Sequence, residues 1–446
     1  MIRINQYEKT KNCFMGEING YGYAFVPGSK KGVVLLDMKT KLILDDLSNF
    51  KNKKDDLRVK LLLENGLLQP NDTLPLRPIL NKDKIKGMST WLHIANCCNL
   101  RCPYCYIANK GKGFMSLSVA KSYLDKLEQT VRYHQLDLIT IRLAGGEPTL
   151  HKKMIRFLAE ETQKRFIKKG IRVQLILLTN GTLIDLELIK LIHDHSMRVC
   201  FSLDGLGEWH NKTRFFKNGM GSFDQVIKNL NLCLNNNIQP TILTTITDKN
   251  VLGVPALSRF LIDKNLSFRY GLYRDNIGGY KACESFIRKV SEVLNDCYDY
   301  YINAIRNHRT KTRHQFCEIH LDRKAHLRSC NIGYSGVTVD HTGKVFLCQA
   351  RMDKKPIGNI KDKTTLLQMA WSQNTFPELC MKDVFDYEDC NHCQWSLICA
   401  GGCPVTNFGA HGSAVSSSPY CKLFKQMIPR LIEIKALQLI ETYSKI

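Results

Sequence analysis

Between Thr90 and Leu272 the chain repeats one rhythm, a short apolar run followed by a longer amphipathic stretch. The runs Thr90–Ala95, Leu138–Ala144, Arg172–Thr179, Met197–Leu203, Pro240–Ile246 and Ser267–Leu272 predict strands. Between them Leu117–Tyr133, His151–Lys169, Asp185–His195, Ser222–Asn236 and Val251–Asn265 predict helices, the second stopped by Gly170, and Ser285–Asn307 predicts one more. Strands that alternate with helices of this length build a parallel sheet, because each helical crossover returns the chain to the end it left. Six units are too few for a closed eight-stranded barrel. The expected class is therefore α/β, a partial (β/α)6 TIM-like barrel, in which ligands sit at the C-terminal strand ends.

The flanks read differently. Ahead of the barrel, Cys13–Ile18, Tyr21–Val26 and Gly32–Leu36 predict short strands, and Thr40–Leu47 and Asp55–Glu64 predict helices. This is the outline of a winged-helix-like unit over residues 1–80, and the polar, Pro-broken stretch from Asn71 to Lys84 reads as a linker. The barrel is expected over 81–310 and a third domain over 311–446, where the alternation fades and cysteines concentrate. With 446 residues, 44% of them hydrophobic, the chain can bury a large core, which excludes disorder and a small disulfide scaffold. Apolar runs such as Val33–Leu36 are far too short to span a membrane, and the N-terminus lacks the apolar core of a signal peptide. A cytoplasmic protein is expected. There, 18 cysteines at fixed spacings point to metal ligands rather than disulfides. The net charge of +23 suits an acidic partner or a solvated lysine-rich surface. No run combines clustered Arg and Lys with stacking aromatics, so nucleic acid is not the expected partner.

Cys98, Cys102 and Cys105 lie in one loop directly after the first predicted strand. Three thiolates so spaced can ligate three corners of a cubane cluster and leave the fourth iron open, whereas structural zinc takes four closed ligands. Ala144-Gly145-Gly146-Glu147-Pro148 ends the second strand, Thr179-Asn180-Gly181 the third and Ser202-Leu203-Asp204-Gly205 the fourth, with Arg214 beyond it. In these four strand ends the chain resembles the radical S-adenosylmethionine (radical SAM) enzymes, whose signature is C-x3-C-x-(aromatic)-C. The resemblance implies that the Tyr104 backbone meets the adenine. It implies that the Gly145–Gly146 segment holds the methionine amine, with Glu147 as the matching acid. Asn180 and Asp204 line the same cofactor site; Ser202 contacts ribose or carboxylate, and Arg214 pairs with the carboxylate. It further implies that the open iron chelates the methionine group, that an electron from an external flavodoxin or ferredoxin cleaves the carbon–sulfur bond, and that the resulting 5′-deoxyadenosyl radical takes hydrogen from an unactivated C–H. No catalytic side chain is assigned.

The cysteines after the barrel run Cys330, then Gly343 and Cys348, then Cys390-x2-Cys393-x5-Cys399-x3-Cys403, and finally Cys421. A zinc ribbon would show paired C-x2-C units, and only Cys390/Cys393 form one. The spacing resembles that of the SPASM domain in every element. The resemblance implies two auxiliary [4Fe–4S] clusters, the first on Cys330, Cys348 and Cys403 and the second on Cys390, Cys393, Cys399 and Cys421. Cys317 is the candidate fourth ligand of the first, the alternative being an open iron. With the SAM-binding cluster this makes three clusters. Cys13, Cys97, Cys200, Cys233, Cys283, Cys297 and Cys380 are expected to be buried small hydrophobes.

The front module resembles the leader-recognition domains of maturases that act on ribosomally made peptides, through Val33-Val34-Leu35-Leu36-Asp37 and Leu61-Leu62-Leu63-Glu64-Asn65-Gly66-Leu67. The resemblance implies a precursor peptide with a leader as partner, and a thioether, C–C or C–O cross-link as product. Two alternatives stand beside it. One is a formylglycine-forming anaerobic sulfatase maturase, from which the chain departs by carrying Gln349 where that family has a catalytic aspartate. The other is a non-catalytic iron–sulfur electron carrier, which would need no SAM pocket.

Overall fold

The computed structural model describes residues 6–29, 31–47, 57–73, 80–107, 111–274, 283–316, 318–321, 325–372 and 383–443. Cys317 and Cys380 lie outside the described residues. Strands β1 (Tyr7–Lys9), β2 (Phe14–Ile18), β3 (Tyr21–Phe25), β4 (Val33–Leu36) and β5 (Leu68–Pro70) belong to the front module. The six predicted barrel strands are β6 (Gly87–Ala95), β7 (Leu138–Gly145), β8 (Arg172–Thr179), β9 (Arg198–Ser202), β10 (Thr241–Ile246) and β11 (Phe268–Leu272). Four more follow, β12 (His314–Phe316), β13 (Gly336–Val339), β14 (Lys344–Phe346) and β15 (Gly358–Asn359).

The barrel strands lie side by side in chain order, all parallel, as the alternating pattern requires. The sheet does not stop there. β12 adds in parallel to β11, β13 adds in parallel to β6, and β14 and β15 continue antiparallel, making ten strands. These four strands come from the cysteine-rich segment, so it is fused to both rims of the barrel sheet rather than appended to it. They were missed in the sequence because each is two to four residues long, too short for a period to show.

Each barrel strand sorts its side chains by parity. Thr90 hydrogen-bonds Tyr123 of the Leu117–His134 helix, which fixes the outward face of β6. Ile141, Leu143, Val199, Phe201, Phe268 and Tyr270 likewise enter the helix-packed core. Their neighbours Trp91, His93, Arg142, Cys200, Ser202 and Arg269 face the barrel lumen.

In the front module β2, β3 and β4 form an antiparallel meander, followed by the helices Met38–Asp45 and Leu57–Glu64. One sheet face packs on those helices through Ala24, Val26, Leu36, Ile43, Leu44, Val59 and Leu62. The other joins the main core through Ile18, Tyr23, Phe25 and Val33, with Phe14 against Trp395 at 5.5 Å. A 23-residue helix, Cys421–Tyr443, not foreseen from the sequence, lies along Glu284–Arg306 and under the front sheet. Arg430 pairs with Asp299 across that helix contact, and Gln438 Nε2 donates to the Tyr301 hydroxyl at 2.9 Å. Among the described residues no helix is long and apolar enough to cross a membrane.

Candidate radical and iron–sulfur centres

The loop after β6 carries Cys98, Cys102 and Cys105 and is anchored at both flanks. Arg101 N donates to Phe215 O at 2.8 Å, and Leu100 bridges to Phe216. Donors converge on the sulfurs: Leu100 N lies 3.4 Å and Asn180 Nδ2 3.9 Å from Cys98 Sγ, and Arg214 Nη1 lies 3.9 Å from Cys102 Sγ. Such donors favour thiolate over thiol.

Gly145 and Gly146 are required by the backbone. Gly145 has φ +134°, and a Cβ on it would fall 2.1 Å from Ala95 O; one on Gly146 would fall 2.0 Å from Cys97 O. The strand end is therefore pressed onto the cysteine loop, with Gly146 N donating to Ala95 O and Glu147 N to Cys97 O, each at 2.8 Å. Glu147 departs from the expected pairing with an amine. It is buried, and its carboxylate already accepts from Thr149 N at 3.1 Å, Thr149 Oγ1 and Thr179 Oγ1 at 2.6 Å, and Asn180 N at 2.8 Å. Burial raises its pKa against the pull of those donors. Glu147 thus ties the end of β7 to the end of β8.

Asn180 accepts from Thr182 and donates to Asn99 Oδ1 at 2.9 Å, joining the third strand end to the cysteine loop. Asp204, fully buried, gathers the fourth strand end: it accepts from Arg214 Nε at 2.8 Å, Thr213 Oγ1 at 3.1 Å, Thr245 N at 3.0 Å and the Tyr104 hydroxyl. Burial alone would lower the Arg214 pKa, but Asp204, Tyr104 and Cys102 reverse this and raise it. Arg214 therefore stands at the cluster loop with one side already paired. Ser202 faces the lumen on β9, in register with Leu243 of β10.

Two sulfur groups form in the C-terminal segment. Cys390, Cys393, Cys399 and Cys421 line one cavity, together with Trp395, Ser396, Phe424 and Ile428. Cys330, Cys348 and Cys403 are mutually close: burial, joined by the neighbouring Cys403, pushes the Cys330 and Cys348 thiols up to about 12. Tyr106, next to Cys105, packs against the cluster of Cys348, Ala350 and Val405, so the first loop and this group adjoin. Among the described residues no three Cys, His, Asp or Glu side chains converge on a position for a single metal ion. Of the other cysteines, Cys233 and Cys297 are buried and Cys13, Cys97 and Cys200 half-buried, but Cys283 is exposed, contrary to expectation, because it caps the Glu284–Arg306 helix from outside.

Residues 92–251 match the radical SAM superfamily, and residues 330–394 match the iron–sulfur cluster-binding SPASM domain. The chain carries a radical SAM domain and a SPASM domain. It is 25% identical over 358 residues to a cysteine-type anaerobic sulfatase-maturating enzyme of Clostridium perfringens, covering 76% of this chain and 95% of that one. It is also 25% identical over 327 residues to AlbA, an antilisterial bacteriocin subtilosin biosynthesis protein of Bacillus subtilis, covering 69% and 64%. The sulfatase-maturating enzyme with bound AdoMet and Cp18Cys peptide shares its fold at a TM-score of 0.64 and 24% identity, over 78% of this chain and 98% of that one. Streptococcus suis SuiB bound to precursor peptide SuiA shares it at 0.56 and 15% identity, over 93% and 100%.

These two domains imply S-adenosylmethionine and [4Fe–4S] clusters, and the donor chemistry fits them. Thiols raised by burial to about 12 at Cys330, Cys348, Cys390 and Cys399 stay protonated at neutral pH unless a cation shares them.

Sequence reasoning missed His210, which organises the loop between Asp204 and Arg214. Its Nδ1 accepts from Asp204 N at 3.2 Å, which leaves the proton on Nε2 for Ser222 Oγ at 3.0 Å. Burial lowers its pKa to about 4 and that of His93 to about 3. Both histidines are neutral in the fold, while the unfolded chain protonates each near pH 6.5. Protons are then bound more by the unfolded state, so stability is full above pH 6.5 and falls as the pH drops toward 4. The expected slope is about 1.4 kcal/mol per pH unit for each histidine. Denaturant midpoints at pH 7.5, 6 and 5 check this, and His210→Gln is expected to flatten the decline.

Proposed function

We propose that this radical SAM protein is a peptide maturase that installs a thioether, C–C or C–O cross-link in a ribosomally made precursor. In this reading Cys98, Cys102 and Cys105 hold the SAM-binding cluster. Cys390, Cys393, Cys399 and Cys421 hold one auxiliary cluster, and Cys330, Cys348 and Cys403 the other, with Cys317 as candidate fourth ligand. Bound together, SAM and the reduced cluster supply a 5′-deoxyadenosyl radical that takes hydrogen from the substrate. The chain's part is to press the Gly145–Gly146 backbone and the Arg214 guanidinium against that site and to close it with the Asp204 network.

The observation that carries the reading is the front module. The sulfatase-maturase fold covers 78% of the chain, and SuiB, solved with its precursor peptide, covers 93%. Here β4 pairs only with β3 among the described strands, leaving its outer edge for an added strand. The Leu57–Glu64 helix is held near the end of β4 by Arg58 and Asp37, 3.8 Å apart, and exposes Leu57 and Leu61 on one face. An electron donor outside the chain is required by the chemistry.

The second reading, formylglycine formation, is favoured by the likeness to sulfatase-maturating enzymes. Against it, the position after Cys348 is Gln349, which accepts no proton at neutral pH. Anaerobic incubation with SAM, dithionite and the short peptide encoded nearest the gene separates the readings by mass spectrometry. A maturase removes two hydrogens from the peptide, and Leu57→Asp/Leu61→Asp raises its KM at least tenfold while leaving deoxyadenosine formation without peptide unchanged. Oxidation of a sulfatase peptide, with the encoded peptide untouched, would establish the second reading.

A further inference from the structure

A closed ring of side-chain hydrogen bonds borders the Cys98 sulfur. Asn99 Nδ2 donates to Thr182 Oγ1 at 2.8 Å, Thr182 Oγ1 donates to Asn180 Oδ1 at 2.7 Å, and Asn180 Nδ2 donates to Asn99 Oδ1 at 2.9 Å. Each member fixes the orientation of the next. The direction of the ring is fixed as well. Asn180 Oδ1 also accepts from Thr182 N at 2.9 Å, so a flipped amide would set donor against donor there. Asn180 Nδ2 must therefore face the cysteine loop. One of its hydrogens goes to Asn99, and the other has Cys98 Sγ, at 3.9 Å, as its acceptor among the described residues. The turn that carries Asn180 and Thr182 is held from both sides. Gly181 has φ +77°, and a Cβ on it would fall 2.8 Å from Phe201 Cδ2. Its N donates to Thr179 Oγ1 at 3.0 Å, and its O accepts from Asn229 Nδ2 at 2.8 Å. Thr179, Asn180, Thr182 and Asn229 are all buried, so water does not compete for these bonds.

A donor held against a cluster thiolate favours the state with more negative charge, which is the reduced one, so it raises the reduction potential. We propose that the Asn99–Asn180–Thr182 ring raises the potential of the SAM-binding cluster through the Asn180 N–H···S contact on Cys98; this rests on the reading that Cys98, Cys102 and Cys105 hold that cluster. Asn180 is the group that meets the sulfur. Thr182 is a positioning residue: its hydroxyl and its N–H both hold Asn180 Oδ1 away from the loop, in the one orientation that presents a donor to Cys98. Asn99 completes the ring by accepting the other Asn180 hydrogen, which leaves the second one for the sulfur. The consequence is a cluster that the external donor reduces more readily.

The test is a redox titration of the full-length protein with all its clusters, followed by electron paramagnetic resonance. The signal that changes when SAM is added reports the SAM-binding cluster, and the signals that do not change are the internal control. Asn180→Leu is expected to lower the midpoint of the SAM-responsive signal by about 59 mV, a tenfold change in its reduced-to-oxidised ratio. Thr182→Val, which keeps the shape and loses the hydroxyl, lowers it less but in the same direction. Thr182→Ser, which keeps the hydroxyl, holds the parental midpoint. The other signals stay where they are in all these variants. A merely structural ring would instead lower the melting temperature and the iron content and leave the midpoint of the retained cluster unmoved, and that result would overturn the inference. Equal shifts in Thr182→Val and Thr182→Ser overturn it too, as does a shift shared by every signal. If Asn180→Leu does not fold, the Thr182 pair decides by the same criterion. The underlying reading is tested separately by replacing Cys98, Cys102 and Cys105 with alanine. A SAM-responsive signal that survives this triple replacement removes the cluster reading and the inference with it. A signal lost there, but unmoved by the Asn180 and Thr182 variants, removes the inference alone.

Discussion

Replacing Cys98, Cys102 and Cys105 together by alanine is expected to reduce 5′-deoxyadenosine formation to background and to remove about a third of the bound iron. The three sulfurs belong to one loop, and no other described thiol can stand in for them. Cys97, the only adjacent one, has its carbonyl fixed by the Glu147 amide at 2.8 Å, which holds its backbone in place. The remaining iron should persist because Cys390, Cys393, Cys399 and Cys421 surround a separate cavity walled by Trp395, Phe424 and Ile428. Iron analysis and chromatography of the SAM cleavage products read the two effects independently. Deoxyadenosine produced at the parental rate would remove the loop from the reaction. Iron lost entirely would mean that the centres assemble together, through the contact that Tyr106 makes between the loop and Cys348.

The barrel was legible because its signal is long-ranged: six strands and their crossover helices each bury one face, and the period survives in the sequence. The cysteine spacing was legible for a similar reason, since ligands must recur at fixed offsets along a loop. What the spacing could not show is direction. Glu147 was expected to face the methionine amine, but four protein donors turn its carboxylate toward Thr149, Thr179 and Asn180. Gly145 and Gly146 were expected to make room for a ligand, and they make room first for the carbonyls of Ala95 and Cys97. The four short strands β12 to β15 and the Cys421–Tyr443 helix escaped because their pairing is set by tertiary contact with the barrel rims, not by local pattern.

Asp204→Asn is expected to cost about 3–5 kcal/mol of stability, the range found when one member of a buried ion pair is removed. The substitution keeps the shape and removes the charge. Asn can present its oxygen to Arg214, Thr213 and Tyr104, but its amide then meets the Thr245 N–H, donor against donor, where Asp204 Oδ1 accepts at 3.0 Å. Turned the other way, the amide faces the Arg214 guanidinium. Either choice leaves a buried donor without its acceptor, and Arg214, only 11% exposed, without its counter-charge. The effect should extend beyond the pair, because the Asp204 carbonyl accepts from Asn250 Nδ2 at 2.8 Å and its amide donates to His210. A double replacement, Asp204→Asn with Arg214→Met, is expected to recover much of the loss, since it removes the stranded cation along with its partner. Denaturant unfolding of the single and double variants gives the coupling energy. A single-variant cost under about 1 kcal/mol would show that the pair is solvated and that Arg214 is positioned by something other than Asp204.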